Sequence, residues 1–123
     1  MRQKSYIMET NKSNWVAGHK VTFCDTAGNY DLTIIETPAK TQGPPPHIHK
    51  MYNETFIVIE GEMVFFLDGK IKTLKAGEAI DIPQNTLHTF DNKSDATCKL
   101  VNIHSPKGFK AFFEAVGFPS EKS

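Results

Sequence analysis

Short strand-like segments separated by turn signals are the feature that most limits the folds open to this chain. Each segment is rich in β-branched, aromatic and other apolar residues and is bounded by Gly, Pro, Asn, Asp or Ser. The predicted strands cover residues 5–9, 15–18, 20–24, 30–37, 47–52, 55–60, 62–67, 70–74, 78–82, 87–92 and 98–104. Many short strands at near-regular spacing favour a sandwich or barrel over a parallel sheet. The sequence therefore predicts an all-β fold.

Two local signals add detail to this prediction. Asp68 and Gly69 stand between two apolar runs, a pattern typical of a tight hairpin in which both turn residues have positive φ. Three consecutive prolines at 44–46 predict a stiff, extended entry into the segment that follows.

One segment near the end of the chain has a helical pattern instead. Ser105 suits an N-cap, and Pro106 suits the first position of a helix. Apolar side chains then recur at helical spacing, at Phe109, Phe112, Phe113 and Val116. Gly117 is suited to ending the helix. We predict one C-terminal helix over about 106–116 that packs on the β-structure.

A group of histidines and one glutamate carries the functional signal. The chain has five histidines, and two of them, His47 and His49, are two residues apart. Side chains two apart in a strand point to the same face, so both imidazoles can aim at one point. Glu54 follows shortly, and His88 lies behind a Gly–Pro turn. Imidazoles and a carboxylate suit a divalent transition metal. Paired histidines also occur as hydrogen-bonded core or surface residues, and that alternative stays open on spacing alone.

The two runs that hold these residues resemble the two signature motifs of the cupin superfamily. The first motif's two histidines, glutamate and final glycine correspond to His47, His49, Glu54 and Gly61. The second motif's glycine, proline, histidine and asparagine correspond to Gly77, Pro83, His88 and Asn92. Together the motifs cover residues 41–92, a little under half of the chain.

Two positions depart from the motifs. The first motif's leading glycine would fall at Thr41, and the nearest glycine is Gly43. The second motif's inner glycine is replaced by Asn85. Asparagine tolerates left-handed backbone better than other non-glycine residues, so the turn can be kept. Neither change affects a predicted metal ligand.

The resemblance implies a double-stranded β-helix, or jelly-roll barrel, in which a single cupin domain spans residues 1–123. It also implies that His47, His49, Glu54 and His88 project into the barrel as metal ligands. Residue parity then predicts a pocket wall of Met51, Phe56, Val58, Phe65, Phe90 and Asn102. For any one of these side chains, plain barrel core is the alternative. His19 is expected to face solvent, and His104 to close the last strand without an assigned place in the pocket.

Three further segments are similar to the small quercetin-dioxygenase-like cupins: 43–49, 60–62 and 105–109. This similarity implies a metal-dependent dioxygenase acting on a phenolic, enol or thiol substrate, with Glu54 also accepting a substrate proton. Iron, manganese, nickel, copper and zinc all suit the ligand set, so the metal stays open. A non-catalytic module that binds a small ligand and a metal-dependent isomerase are the alternatives.

Composition excludes several other classes of protein. The 123 residues carry 14 basic and 14 acidic side chains, so no excess charge favours nucleic acid or an anionic membrane as a partner. A long apolar run and a signal-peptide pattern are both missing from the sequence, which predicts a cytoplasmic protein. Cys24 and Cys98 lack metal-site spacing and are expected to be reduced and buried. We expect a homodimer in which residues 5–18 supply an edge strand, with pairing inside the chain's own barrel as the alternative.

Overall fold

A computed structural model of the chain describes residues 6–108, and strands dominate that range. They are β1 Asn14–Val16, β2 His19–Cys24, β3 Asp31–Thr37, β4 Thr41–Gln42, β5 Asn53–Glu60, β6 Glu62–Leu67, β7 Lys70–Lys75, β8 Ala79–Ile82, β9 His88–Asn92 and β10 Cys98–Ser105. None of residues 6–108 is helical.

The strands form two antiparallel sheets. One sheet has six strands in the order β1-β2-β3-β10-β5-β8, and the other has four in the order β4-β9-β6-β7. In the larger sheet β1, β2 and β3 follow chain order, but β10 lies between β3 and β5, so several neighbouring strands are far apart along the chain. Such crossed antiparallel order is that of a jelly roll. The predicted all-β jelly-roll fold is confirmed.

The hydrophobic core lies between the inner faces of the two sheets. Along β10, buried and half-buried residues alternate strictly, as expected for a strand with one face toward the core. The inner faces contribute the most deeply buried apolar side chains, which are Phe56, Val58, Met63, Phe65, Ile82, Cys98 and Leu100. Both cysteines are buried with free thiols, as the sequence predicts.

The turn predictions agree with the backbone. Asp68 and Gly69 have φ values of 45° and 81°, so both positions of the β6–β7 hairpin adopt the left-handed conformation. Asn85, which replaces the motif glycine, has a φ of 65°. Asparagine therefore provides the left-handed residue that the second motif needs at this turn.

Two predicted strands are wrong. Residues 47–52 form only an isolated bridge between His47 and His88, because the prolines at 44–46 deliver an irregular loop rather than a continuous strand. In the predicted strand 5–9, residues 6–9 are not a strand; Thr10 instead bridges Cys24 alongside β2.

The predicted C-terminal helix falls mostly outside the described residues. Ser105 is the last residue of β10 and pairs with Asn53 of β5, so it is extended and does not act as an N-cap. Residues 106–108, the predicted first turn, are not helical. Residues 109–116 lie outside the described part of the chain. Within residues 6–108, no helix has the length and apolarity needed to cross a bilayer.

Candidate metal centre

A two-residue backbone bridge brings the first and the last predicted ligand together. The amide of His47 donates to the carbonyl of His88 at 3.0 Å, and the amide of His88 donates to the carbonyl of His47 at 2.9 Å. The two imidazole centroids are 4.4 Å apart as a result. Residues 41 positions apart in the sequence thus become neighbours through main-chain bonds, which the loop 43–46 makes possible.

Both imidazoles are oriented by a local carbonyl. His47 Nδ1 lies 2.9 Å from the carbonyl oxygen of Pro45, and His88 Nδ1 lies 2.8 Å from that of Thr86. A carbonyl oxygen can only accept, so Nδ1 carries the proton in each ring. Nε2 is then the nitrogen left to bind a metal, and the second-nitrogen hydrogen bond is the usual support of a metal-ligating histidine.

His49 is placed by the turn that follows β8. The amide of Asn85 donates to the carbonyl of His49 at 2.9 Å, which ties the histidine loop to the second motif. Burial lowers the pKa of His49 to about 4, although the Glu54 carboxylate opposes this shift. His49 is therefore neutral at physiological pH, as a metal ligand must be.

Glu54 is the acidic centre of the site and projects from β5. Its Oε1 lies 2.8 Å from His88 Nε2 and 3.7 Å from His49 Nε2, and its Oε2 lies 2.5 Å from His104 Nε2. Burial alone would raise the pKa of Glu54, but hydrogen bonds from His104 and His88 outweigh it and lower the pKa well below its usual range. Burial likewise would lower the pKa of His88, and the bonds to Glu54 and Thr86 raise it instead.

The donor atoms form two overlapping groups that share His49, and each group is close enough to serve one ion. Those of His47, His49 and His88 lie within 4.8 Å of one another, and so do those of His49, Glu54 and His104. Two ligands about 2.1 Å from one ion can be about 4 Å apart, so small side-chain shifts suffice. Neutral imidazoles with one carboxylate form the donor set of a divalent transition metal. The residues therefore fit such an ion, while their assignment as ligands stays a prediction.

A cavity of about 600 Å³ opens beside these groups. Its walls are mostly apolar and come from β1, β2, β3, β5, β9, β10 and the loop 44–49. The apolar lining consists of Val16, Val21, Phe23, Ile35, Pro44, Pro45, Pro46, Ile48, Phe56 and Phe90. Thr33 and Asn102 add polar groups to the same wall.

The predicted wall residues occupy three kinds of position: the cavity lining, the core and the surface. Phe56, Phe90 and Asn102 line the cavity. Val58 and Phe65 are fully buried in the core and are not among the lining residues, because they lie deeper between the sheets. The prediction for Met51 is wrong: its side chain is 69 % exposed, since residues 47–52 are not a regular strand and residue parity fails there.

Two histidines of the site are misplaced by sequence reasoning. His19 is not solvent-facing as predicted: it is buried on the cavity wall, where it bonds Thr37 and the carbonyl of Gln42. His104 is buried against Glu54. Strand periodicity contains the signal that was missed. His19 lies two residues before the inward Val21 of β2, and His104 lies two residues after the inward Asn102 of β10, so each histidine is on the inward face of its strand.

Comparison with known proteins agrees with this architecture. A family model described as "Cupin domain" matches residues 33–104, more than half of the chain. The chain is a cupin.

Two sequence relatives and one solved structure place this cupin among similar proteins. It is 36 % identical over 97 residues to quercetin 2,3-dioxygenase of Bacillus subtilis, a match covering 79 % of this chain and 28 % of that protein. It is 33 % identical over 78 residues to the HTH-type transcriptional regulator PuuR of Escherichia coli, covering 62 % of this chain and 41 % of that protein. An RmlC-like cupin from Shewanella frigidimarina shares the fold, with a TM-score of 0.71, 22 % identity, and coverage of 91 % of this chain and 99 % of that chain.

This cupin spans half or less of the sequence relatives it matches. This cupin has the family fold and a cluster of histidine and glutamate side chains that could hold a metal, and one of its sequence relatives is an enzyme.

Proposed function

We propose that this cupin is a metal-dependent dioxygenase that acts on a small phenolic, enol or thiol compound, with His47, His49, Glu54 and His88 as the metal ligands. The observation that carries the proposal is the convergence of these side chains beside a mostly apolar cavity of about 600 Å³. A catalytic metal site keeps positions open for substrate, and four protein ligands leave one or two of them on a five- or six-coordinate ion.

A divalent transition metal bound there would supply Lewis acidity and, if redox-active, a path for electrons between the substrate and O2. The similarity to quercetin 2,3-dioxygenase supports this class of chemistry for the bound ion. Iron, manganese, nickel and copper are the candidates for oxygenation, and zinc would favour the isomerase alternative because it has no redox states.

The cavity walls indicate the kind of molecule that fits. Aromatic and aliphatic side chains dominate the lining, so a flat or apolar body is favoured over a sugar. Oxygen or sulfur donors of the substrate would point toward the ion, because two of its proposed ligands, His47 and His49, line the cavity. The apolar walls offer water few hydrogen-bond partners, and a substrate that fills the cavity would strengthen the electrostatic interactions among the reacting groups.

Glu54 is the group suited to take up the substrate's proton. Its lowered pKa makes it a carboxylate at neutral pH but also a weak base. One cause of that low pKa is the hydrogen bond from His88 Nε2, the atom assigned to the metal. When His88 serves as a ligand it no longer donates to Glu54, and Oε1 of Glu54 can accept the substrate's proton once that oxygen leaves the ion.

Oxygen consumption tests the proposal. Metal-free protein is loaded in turn with Fe(II), Mn(II), Ni(II), Cu(II) and Zn(II), and O2 uptake is followed with a panel of flavonols, diketones and thiols. We expect uptake with at least one redox-active ion and none with zinc. Glu54→Gln keeps the size of the side chain and is expected to bind the metal weakly and to lose uptake. Silence with every redox-active ion would contradict the dioxygenase.

The similarity to PuuR supports a second candidate, a module that binds a small ligand without turnover. In that case the cavity holds the ligand and the metal orients it. Thermal shift with a metabolite library separates the two functions. Stabilisation by compounds that are recovered unchanged after long incubation with O2 favours the binding module, whereas product formation favours the enzyme.

We also propose that the chain is a single cytoplasmic domain that forms homodimers. Tyr6 and Ile7, which precede the first strand, are 87 % and 86 % exposed, as expected for apolar residues that a second copy would cover. Light scattering behind size exclusion measures the mass directly. A monomeric mass at micromolar concentration would contradict the dimer.

A further inference from the structure

We propose that His104 and Asn102 hold Oε2 of Glu54 in place, so that Glu54 meets the metal through Oε1 alone. We call these two side chains the Oε2 clamp. The inference rests on the metal site of the proposed function and adds two positioning residues to it.

The clamp is built on adjacent strands in direct register. His104 of β10 pairs with Glu54 of β5, and Asn102, two residues earlier, lies on the same inward face of β10. His104 Nε2 lies 2.5 Å from Glu54 Oε2, and Asn102 Nδ2 donates to the same oxygen at 3.2 Å. Asn102 Nδ2 also donates to the carbonyl of Thr55 at 3.2 Å, which fixes the amide in this orientation.

The two oxygens of Glu54 therefore have different surroundings. Oε2 faces the clamp on β10, whereas Oε1 lies 2.8 Å from Nε2 of His88 and 3.7 Å from Nε2 of His49. His88 and His49 are two of the predicted ligands, so Oε1 is the oxygen directed toward the ion. Glu54, Asn102 and His104 are all at least nine-tenths buried, and solvent does not compete for these bonds.

This asymmetry decides how Glu54 can coordinate. An unrestrained carboxylate is able to bind a metal through one oxygen or both. The hydrogen bond from Asn102 and the close charge contact with His104 both hold Oε2 on the β10 side and oppose the rotation that would bring it to the ion. Coordination through Oε1 alone uses one position fewer, which keeps an extra position open for substrate or O2. Partners of this kind are worth roughly 10–100-fold in metal affinity in other sites.

One competing arrangement uses the same residues. Donor atoms of His49, Glu54 and His104 also lie within 4.8 Å of one another, so His104 is a possible ligand itself. In the clamp, Nε2–H of His104 donates to Oε2, and that nitrogen has no lone pair for the ion. The experiment must therefore distinguish a histidine that binds the metal from one that positions the glutamate.

Cobalt(II) is a suitable probe because its affinity and its geometry are both measurable. We compare parent, His104→Leu, His104→Gln and Asn102→Leu by chelator competition. His104→Leu and Asn102→Leu are expected to bind Co(II) about 10–100-fold more weakly. His104→Gln keeps an N–H donor and is expected to recover most of the affinity. Leu100→Ala, on the same face of β10, is the matched control: it loses core packing but no bond to Glu54, and its Co(II) affinity should stay within about twofold of parent.

Spectroscopy tests coordination in the same samples. Losing the clamp lets Glu54 bind through both oxygens, which raises the coordination number and weakens the visible d–d bands of Co(II). Proton NMR of the Co(II) protein counts imidazole N–H signals shifted by the ion. We expect three in parent and the same three in His104→Gln. A fourth signal that disappears in His104→Gln would make His104 a ligand and overturn the clamp.

The outcomes separate the two proposals. Parent that binds Co(II) with variants of equal affinity overturns the clamp and leaves the metal site standing. Parent that binds no Co(II), Fe(II), Mn(II) or Ni(II) overturns the metal site and the clamp together. Melting temperatures of the metal-free proteins identify any variant that has failed to fold. If a leucine variant fails to fold, the Co(II) affinity and spectra of parent and His104→Gln test the clamp.

Discussion

Gly43 passes so close to Phe90 that a Cβ atom at residue 43 would lie 1.8 Å from the Phe90 carbonyl oxygen. The amide of Gly43 also donates to Oδ1 of Asp91 at 3.0 Å. This contact holds the loop 43–46 against β9 and so sets the path of the chain into His47. A glycine is needed at residue 43 because the neighbouring backbone leaves no room for a Cβ atom.

We expect Gly43→Ala to destabilise the protein by about 3 kcal/mol or more, because backbone atoms of two segments must separate to admit the methyl group. Gly77→Ala is the control. Gly77 has a φ of 90°, and beyond its chain neighbours no atom of residues 6–108 would lie within 4 Å of an alanine methyl group there. The control therefore loses only the cost of a left-handed alanine, about 1–2 kcal/mol. Urea unfolding of both variants measures the difference. Equal losses would contradict the role of the close approach.

Asn92, the last residue of the second motif, joins the end of β3 to the turn that follows β9. Its Nδ2 donates to the carbonyls of Thr37, Pro38 and Ala96, and its Oδ1 accepts from the amide and hydroxyl of Ser94. Replacing Nδ2 by oxygen in Asn92→Asp puts an acceptor in front of three carbonyl acceptors without a change in size. The carbonyls of Thr37 and Pro38 then face an acceptor in place of their donor, while that of Ala96 keeps the Ser94 hydroxyl, and a loss of about 2 kcal/mol or more is expected.

Asn53→Asp is the matched control for this substitution. Asn53 uses its Oδ1, which accepts from the amide of Gln84 at 3.1 Å, and aspartate keeps that acceptor. We expect a change within about 0.5 kcal/mol. Denaturant unfolding at neutral pH compares the pair. A loss in Asn53→Asp as large as that in Asn92→Asp would show that added charge, and not the reversed hydrogen bonds, is responsible.

Local patterns in the sequence are sufficient for most of the strands, the Asp68–Gly69 turn and the convergence of distant motifs. Alternation identifies β-strands because a pleated strand with one buried face has a period of two. The left-handed backbone of Asn85 is likewise predictable from residue type. The strands and turns depend on neighbouring residues alone. The convergence of the two motifs is predictable because the family pattern already associates them.

The parts of the site that sequence reasoning misplaces depend on contacts without a local signature. Residue parity places Met51 in the pocket only if a regular strand runs through residues 47–52. The prolines and the His47–His88 bridge hold these residues as a loop instead. The contact of His104 with Glu54 follows from the β5–β10 pairing, between residues 50 apart in the chain. No local pattern specifies which strands become neighbours in a jelly roll.

His19 is expected to make the protein less stable in mild acid. Burial lowers its pKa, although a bond to the Gln42 carbonyl opposes the shift. Because the Gln42 carbonyl can only accept, Nε2 donates to it, and Nδ1 accepts from the hydroxyl of Thr37. Above about pH 6.5 the ring is neutral in both folded and unfolded chains. As the pH falls below that value, the unfolded chain binds a proton that the folded chain does not, so the free energy of unfolding decreases.

His19→Gln isolates this effect. Metal-free parent and variant are unfolded in urea at several values between about pH 7.5 and about pH 5. We expect the variant to lose stability at every pH, and the gap between parent and variant to narrow as the solution becomes more acidic. A gap that widens toward acid would mean that His19 is protonated in the folded protein, contrary to the direction of its pKa shift.

Metal affinity of single-ligand variants tests the centre itself. His88 takes part in both the backbone bridge to His47 and the contact with Glu54, so both its main chain and its ring are held by other predicted ligands. His88→Ala is expected to weaken binding of Mn(II) or Ni(II) by more than about 100-fold, beyond the range seen for residues that only support a ligand. His19→Ala removes another buried imidazole of the same cavity, whose two ring nitrogens are bonded elsewhere. Calorimetry on both variants should show a loss only in His88→Ala, and parent-like binding there would remove His88 from the ligand set.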